Sequence, residues 1–280
     1  MNTITSSLNS ICEGVPYSVR YSILNARDGT VFERAEREET PSASTRKISI
    51  MLAVLNAASE GRLDLDDHIV YEPRLRDGVA SGIFRYLTPG ITLTLRDAIV
   101  GMIVLSDNVC TRMVLERLTL QEVADYCQAL GMTGTHHRFL IPPPTLPADH
   151  GLEDVTTTTA ADQVRLLKLL ADARHSAASA RILGISPALC QFALQTLGQQ
   201  ILRYGIPSRL PYDVQFACKG GRGKRGRMDA GIVFKDKEPL YILAVFTDHV
   251  PTALPDGTPG YTSALETIGK ISRVCWDGFQ

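Results

Sequence analysis

The sequence predicts an α+β fold: an antiparallel sheet built from both ends of the chain and flanked by helices, with an all-α insertion between its halves. Three observations carry this. The N-terminal part alternates apolar and polar residues as strands do. The middle, roughly 47–205, repeats its apolar residues at helical spacing. Strand patterns then return at 212–219, 230–235 and 240–247, followed by an amphipathic segment at 261–276 that reads as a C-terminal helix. On this reading 1–46 and 206–280 make an α/β subdomain, 47–205 an all-α subdomain, and the two close into one domain. A cleft between them is the default place for a site.

In chain order, Tyr17-Ser18-Val19-Arg20-Tyr21-Ser22-Ile23-Leu24 reads as the first strand. Asp28-Gly29 is a hairpin signal, and Thr30-Val31-Phe32 starts the return. After Ser44 the period changes: Ile48, Met51, Leu52, Leu55 and Ala58 share a helical face, and Gly61 suits the residue past the helix end. Thr94 with Asp97, Thr119 with Glu122 and Thr159 with Asp162 are capping-box pairs that start three more helices. Ser186-Pro187 opens another, with proline at its first position. Between these helices, Ile141-Pro142-Pro143-Pro144-Thr145-Leu146-Pro147 holds four prolines and excludes a helix.

Composition excludes several classes. A chain of 280 residues, 44% apolar and 21% charged, has enough apolar side chains for a sizeable core. A formal net charge of -1 provides no field to recruit nucleic acid or an anionic membrane. No apolar run reaches the ~18–20 residues of a membrane span. The opening residues carry neither a basic nor a long apolar leader segment, so a cytoplasmic location is expected. The six cysteines, at 12, 110, 127, 190, 218 and 275, form no CxxC pair, and no HExxH occurs. Buried reduced thiols are expected, with no metal site and no cofactor. Only 7 of the 29 basic residues are lysines.

Three short motifs carry chemistry. In Ser44-Thr45-Arg46-Lys47 the serine and lysine are three apart, so a helix puts them on one face. A serine hydroxyl needs a base to become a nucleophile, and a lysine kept neutral by burial or a cationic neighbour can be that base. A serine at a helix start also offers its own N–H to a developing oxyanion. Ser106-Asp107-Asn108 follows the apolar helix 95–105. These residues suit a helix cap, and equally a hydroxyl that relays a proton beside an amide that holds a substrate. Lys219-Gly220-Gly221 lies at a strand end, where glycines let a ligand lie along the edge. It opens the run 219–227, with five cations in nine residues. That run reads either as a solvated loop or as a carboxylate-recognition segment.

Each motif alone is weak, but their order and placement together resemble the penicillin-recognising serine enzymes, and class A β-lactamases in particular. The resemblance extends over most of the chain. It includes Thr40-Pro41-Ser42-Ala43 before the nucleophile, Ser81-Gly82-Ile83-Phe84 before the second motif, and Ile206-Pro207-Ser208-Arg209 and Asp229-Ala230-Gly231 around the third. It implies the β-lactamase/transpeptidase-like fold and hydrolysis of a β-lactam-type amide through an acyl-Ser44 intermediate. It further implies that Lys47 accepts the Ser44 proton, that Ser106 passes one to the departing nitrogen, and that Asn108 orders Lys47 and the substrate. Lys219 and Arg227 would bind a substrate carboxylate, and Gly221 leads to Arg222, whose N–H would complete an oxyanion hole with that of Ser44.

The sequence departs from the family in two places. Class A enzymes activate the deacylating water with a glutamate, but the corresponding stretch here, 138–148, contains no carboxylate. His136, His137 and His150 flank it, and each is a candidate base. Gly220 stands where the family usually has a hydroxyl residue. A β-lactamase-like hydrolase of a small carboxylate-bearing substrate is therefore the leading expectation. A cytosolic amidase, esterase or transacylase on a carboxylate-bearing metabolite, and a β-lactam-binding protein without turnover, are the alternatives.

Overall fold

The computed structural model describes residues 2–143 and 145–280; Met1, and Pro144 of the proline-rich run, lie outside the described residues. In order, the chain forms α1 (Asn2–Glu13), β1 (Ser18–Asn25), β2 (Val31–Arg34), β3 (Thr40–Pro41), α2 (Lys47–Ser59), β4 (His68–Val70), β5 (Thr92–Thr94), α3 (Leu95–Val104), α4 (Asn108–Leu115), α5 (Leu120–Ala129), β6 (Thr157–Thr158), α6 (Ala160–Asp172), α7 (Ala177–Leu183), α8 (Pro187–Gly198), β7 (Phe216–Arg222), β8 (Arg227–Lys235), β9 (Glu238–Asp248) and α9 (Gly260–Gly278). The α+β class and the β-lactamase-like arrangement of helices around an antiparallel sheet are as expected. Among the described residues no single helix is long and apolar enough to cross a membrane.

Five strands form one antiparallel sheet in the order β2-β1-β9-β8-β7. The two ends of the chain meet along β1 and β9, from Ser18 opposite Asp248 to Asn25 opposite Tyr241. The hairpin at Asp28-Gly29 forms as its sequence indicates, with Gly29 at φ 78 and its N–H on the Asn25 carbonyl. The sheet separates two apolar clusters. One face packs with α1 and α9, through Leu8, Cys12, Tyr21, Leu243, Ile268 and Cys275. The other face contributes Ala230, Ile232, Ala244 and Phe246 to the larger cluster, which the helices α2 to α8 fill. All six cysteine side chains are buried.

Three local readings are corrected. The N-terminus begins with a helix, α1, rather than a strand. Ile4, Leu8, Ile11 and Cys12 do recur at helical spacing, but the Ser, Thr and Asn between them weaken the intrinsic signal. Packing of Leu8 and Cys12 in the α9 cluster stabilises the helix instead. The strand expected at 212–219 is shifted toward the C-terminus, to Phe216–Arg222, and the one expected at 230–235 starts early, at Arg227. Consequently 219–227 is a β-hairpin, not a solvated loop. Gly223 donates to the Gly226 carbonyl at 3.0 Å and closes the turn, which places Arg222 opposite Arg227.

The caps behave as written in the sequence. Thr119 and Glu122 form a reciprocal capping box at α5, Thr94 and Thr159 cap α3 and α6, and Ser186 caps α8 ahead of Pro187. These caps fix where α3 begins and hence where the second motif, just past its end, lies.

Candidate active site

Ser44 sits in a short 3₁₀ turn, Ala43–Arg46, that runs directly into α2. Ala43 before it is held at φ 42, and Ser106 of the second motif at φ 55. Non-glycine residues in this region cost roughly 1–3 kcal/mol each, and they concentrate at functional sites. No sequence feature announced either.

A cavity of about 520 Å³ opens over this turn, a size suited to a drug-sized ligand. Ser44, Lys47, Ser106, Asn108, Gly220 and Arg222 all line it. Lys47 is 1% exposed. Its Nζ donates to the Ser106 carbonyl at 2.8 Å and to Asn108 Oδ1 at 2.7 Å, and lies 3.3 Å from Ser106 Oγ. Burial holds the Lys47 pKa well below the ordinary lysine value, and the Lys219 and Arg46 charges push it the same way. A neutral amine has two hydrogens. The two carbonyl oxygens occupy them, which leaves the lone pair to take a proton.

Lys219 is also fully buried. Its Nζ donates to Ser106 Oγ at 3.0 Å and to the Gly220 carbonyl at 2.9 Å. Burial lowers its pKa to about 8 against the opposing pull of Asp229, so it is a cation at neutral pH. Ser106 Oγ thus lies between the two lysine amines. Of the two readings offered by Ser106-Asp107-Asn108, the helix cap is formed. Asp107 caps α4 through Val109 N and Cys110 N and holds Phe84 N at 2.9 Å, while its neighbours face the cavity.

β7 is an edge strand and passes close to the nucleophile turn. A Cβ at Gly221 would lie 3.1 Å from Ala43 Cβ and 2.7 Å from Met228 Cγ, so glycine is required by space there. Because Gly223 bonds to Gly226, the antiparallel alternation pairs Gly221 and Lys219 with β8 and turns the N–H groups of Gly220 and Arg222 off the edge. Arg227 is placed elsewhere. Its guanidinium donates to the Gly223 and Gly226 carbonyls and stacks 3.6 Å over the Tyr261 ring, and it does not line the cavity.

The three histidines separate clearly. His136 lies 3.3 Å from Glu39, and His137 Nε2 bonds Ser49 Oγ at 3.1 Å; neither lines the cavity. His150 does line it and is buried. Its Nδ1 donates to the Gly151 carbonyl at 2.8 Å, which leaves Nε2 as the acceptor nitrogen of the neutral ring. Arg225, paired to Asp248 at 2.7 Å, donates to the His150 carbonyl at 2.7 Å and fixes that end of the loop.

Sequence reasoning missed Arg46. It is buried, and its guanidinium donates to the Phe139 and Leu140 carbonyls and to Thr156 Oγ1 at 3.1 Å. It therefore ties Phe139, Leu140 and Thr156 to the nucleophile turn. An arginine inside a motif that opens an apolar helix was the available signal.

His137 carries an expected effect on stability. Burial, with Arg46 and His136 nearby, lowers its pKa from 6.5 to about 3. The unfolded chain binds the extra proton between those values, so this contribution is complete above pH 6.5 and is lost as pH falls toward 3. Between pH 7 and pH 5 the wild type should lose about 2 kcal/mol more unfolding free energy than His137→Gln. Urea titrations of both proteins at the two pH values check this.

The model of the β-lactamase enzyme family matches residues 3–279. Solved structures give the same fold. A β-lactamase from Sphaerobacter thermophilus is 24% identical, with 99% of this chain and 97% of that one covered and a TM-score of 0.83. A β-lactamase from Chitinophaga pinensis is 19% identical over 100% of both chains, with a TM-score of 0.84. A mutant of PBP-A, in its acyl-enzyme complex with penicillin G, is 22% identical, with 100% of this chain and 97% of that one covered and a TM-score of 0.81. No curated protein matches the chain in sequence. The family match indicates a serine hydrolase that acts on β-lactam-type amide bonds. The chain belongs to the β-lactamase enzyme family.

Proposed function

We propose that the protein hydrolyses β-lactams bearing a carboxylate through an ester on Ser44. The observation that carries this reading is the placement of Ser106 Oγ between Lys47 Nζ and Lys219 Nζ, with Ser44 in the same cavity. Neutral Lys47 takes the Ser44 proton as Oγ attacks the ring carbonyl carbon. The oxyanion that forms is met by the N–H groups of Ser44 and Arg222; one such donor is typically worth ~2.7–4 kcal/mol. The carbon–nitrogen bond then breaks. Ser106 gives its proton to the departing nitrogen and recovers one from Lys47. Lys219 and Arg222 attract the substrate carboxylate.

Deacylation needs a base for water, and no carboxylate lines the cavity among its described residues. His150 supplies it in this scheme. Nε2 takes a proton as the water oxygen attacks the ester carbon, and the proton returns to Ser44 Oγ as that bond breaks. The penicillin acyl-enzyme of the PBP-A mutant supports β-lactams as acyl donors for this fold.

A chromogenic cephalosporin, followed by absorbance and intact mass together, tests the proposal. Wild type should turn over repeatedly, and Ser44→Ala should lose at least about 10³-fold in turnover and form no adduct. Unchanged turnover in Ser44→Ala would overturn the assignment of the nucleophile.

A further inference from the structure

The charge lining the cavity exceeds what one carboxylate needs. Arg46, Arg85, Arg222 and Lys224 line it beside the neutral Lys47, and no aspartate or glutamate does among the described residues. Elsewhere arginines pair with acids, as in Arg20 with Glu38, Arg62 with Glu60, Arg74 with Glu72 and Arg273 with Asp277. Among the described residues none of the four lining cations, nor Lys219 behind them, is in an ion pair. The buried acids nearest the motifs are held by backbone groups: Asp107 by Val109, Cys110 and Phe84, and Asp229 by Ile206. With a net charge of -1 for the whole chain, this is a local concentration of cations and not a basic protein.

The cations lie on different elements. Arg222 and Lys224 belong to the β7–β8 hairpin. Arg85 belongs to the turn Phe84–Tyr86, which Asp107 ties to the second motif. Arg85 donates one bond, to the Ala80 carbonyl at 2.8 Å, and packs 4.8 Å from the Tyr86 ring. The rest of its five-donor fork has no partner among the described residues. On the hairpin side there is also room: a Cβ at Gly220 would come no nearer than 3.8 Å to any atom, so nothing steric imposes the missing hydroxyl.

Resting on the serine-hydrolase reading above, we infer that the preferred substrate carries two anionic groups, a carboxylate met by Lys219 and Arg222 and a second anion that reaches Arg85. A monoanionic ligand leaves the Arg85 side of the cavity uncompensated. A second carboxylate on the acyl side chain gives that guanidinium a planar, bidentate partner.

Ser44→Ala protein, which binds without reacting, provides the test. Three intact penicillins are titrated calorimetrically: one with a neutral arylacetyl side chain, its α-carboxylated counterpart and its α-amino counterpart. The dianion should bind at least about tenfold tighter than the monoanion, and the α-amino compound weakest. The preference should shrink as salt rises, and Arg85→Gln should make the mono- and dianion bind alike. Equal affinities in Ser44→Ala overturn the inference, and a preference that survives in Arg85→Gln overturns the role of that arginine. Turnover of the monoanion by wild type reports separately on the proposed function. Equal affinities alongside turnover sink only the second anion, whereas no binding and no turnover sink both.

Discussion

Lys47→Met is expected to lower kcat/KM for any acylating substrate by at least about 10³-fold, within the range that general-base catalysis supplies. The fold should survive. Lys47 is buried beside Ser106 and Asn108, neutral and hydrogen-bonded to no acid, so an apolar side chain of similar length replaces it without leaving a buried charge unpaired. Two acceptors, the Ser106 carbonyl and Asn108 Oδ1, lose their donor, but both residues line the cavity and water can replace it. The melting temperature should therefore stay within a few degrees of wild type. Lys47→Arg separates the base from the charge. A guanidinium stays protonated and cannot accept the Ser44 proton, so this variant should be as slow as Lys47→Met. If Lys47→Arg keeps activity within tenfold of wild type, positive charge and not proton transfer is the contribution of position 47. Stopped-flow acylation with the chromogenic cephalosporin measures all three proteins.

The parts of this site that were legible in the sequence are those fixed by short-range rules. Ser44 and Lys47 are three apart, and the turn that opens α2 puts both on the wall of the cavity. Thr94, Thr119, Thr159 and Ser186 cap helices because their side chains reach the backbone N–H group three residues on. What stayed hidden depends on partners far away in the chain. The hairpin of 219–227 forms because β8 pairs with β9 and extends β7, whereas its glycines and cations read locally as a loop. Helix α1 has poor intrinsic propensity and is made by α9, more than 240 residues later. An arginine at position 46, ahead of an apolar helix, was a signal in the sequence, but its partners, the Phe139 and Leu140 carbonyls and Thr156, lie too far along the chain to be read from it. The same holds for the choice among three histidines. Composition ranks them equally, while burial and one contact each assign them to Glu39, to Ser49 and to the cavity.

His150→Gln is the variant expected to divide the reaction in two. Acylation relies on Lys47, Ser106 and the oxyanion donors, none of which hydrogen-bonds His150, and should proceed within several-fold of the wild-type rate. Deacylation relies on the lone pair of Nε2, and glutamine has no comparable base, so that step should slow by about 10²–10⁴-fold. The time course then becomes a burst of one product equivalent followed by a stall, with the mass of the opened lactam retained on Ser44. Glutamine can still donate an amide hydrogen to the Gly151 carbonyl, so the loop keeps the contact that orients position 150. A merely structural role for His150 predicts a different pattern, in which both phases slow together and the melting temperature drops. His150→Ala adds a second readout: free imidazole should restore deacylation in proportion to its concentration and leave the burst phase unchanged. If His150→Gln clears its adduct at the wild-type rate, water is activated by another group. Lys47, freed of its proton once acylation is complete, is then the remaining base in a cavity that has no carboxylate among its described residues.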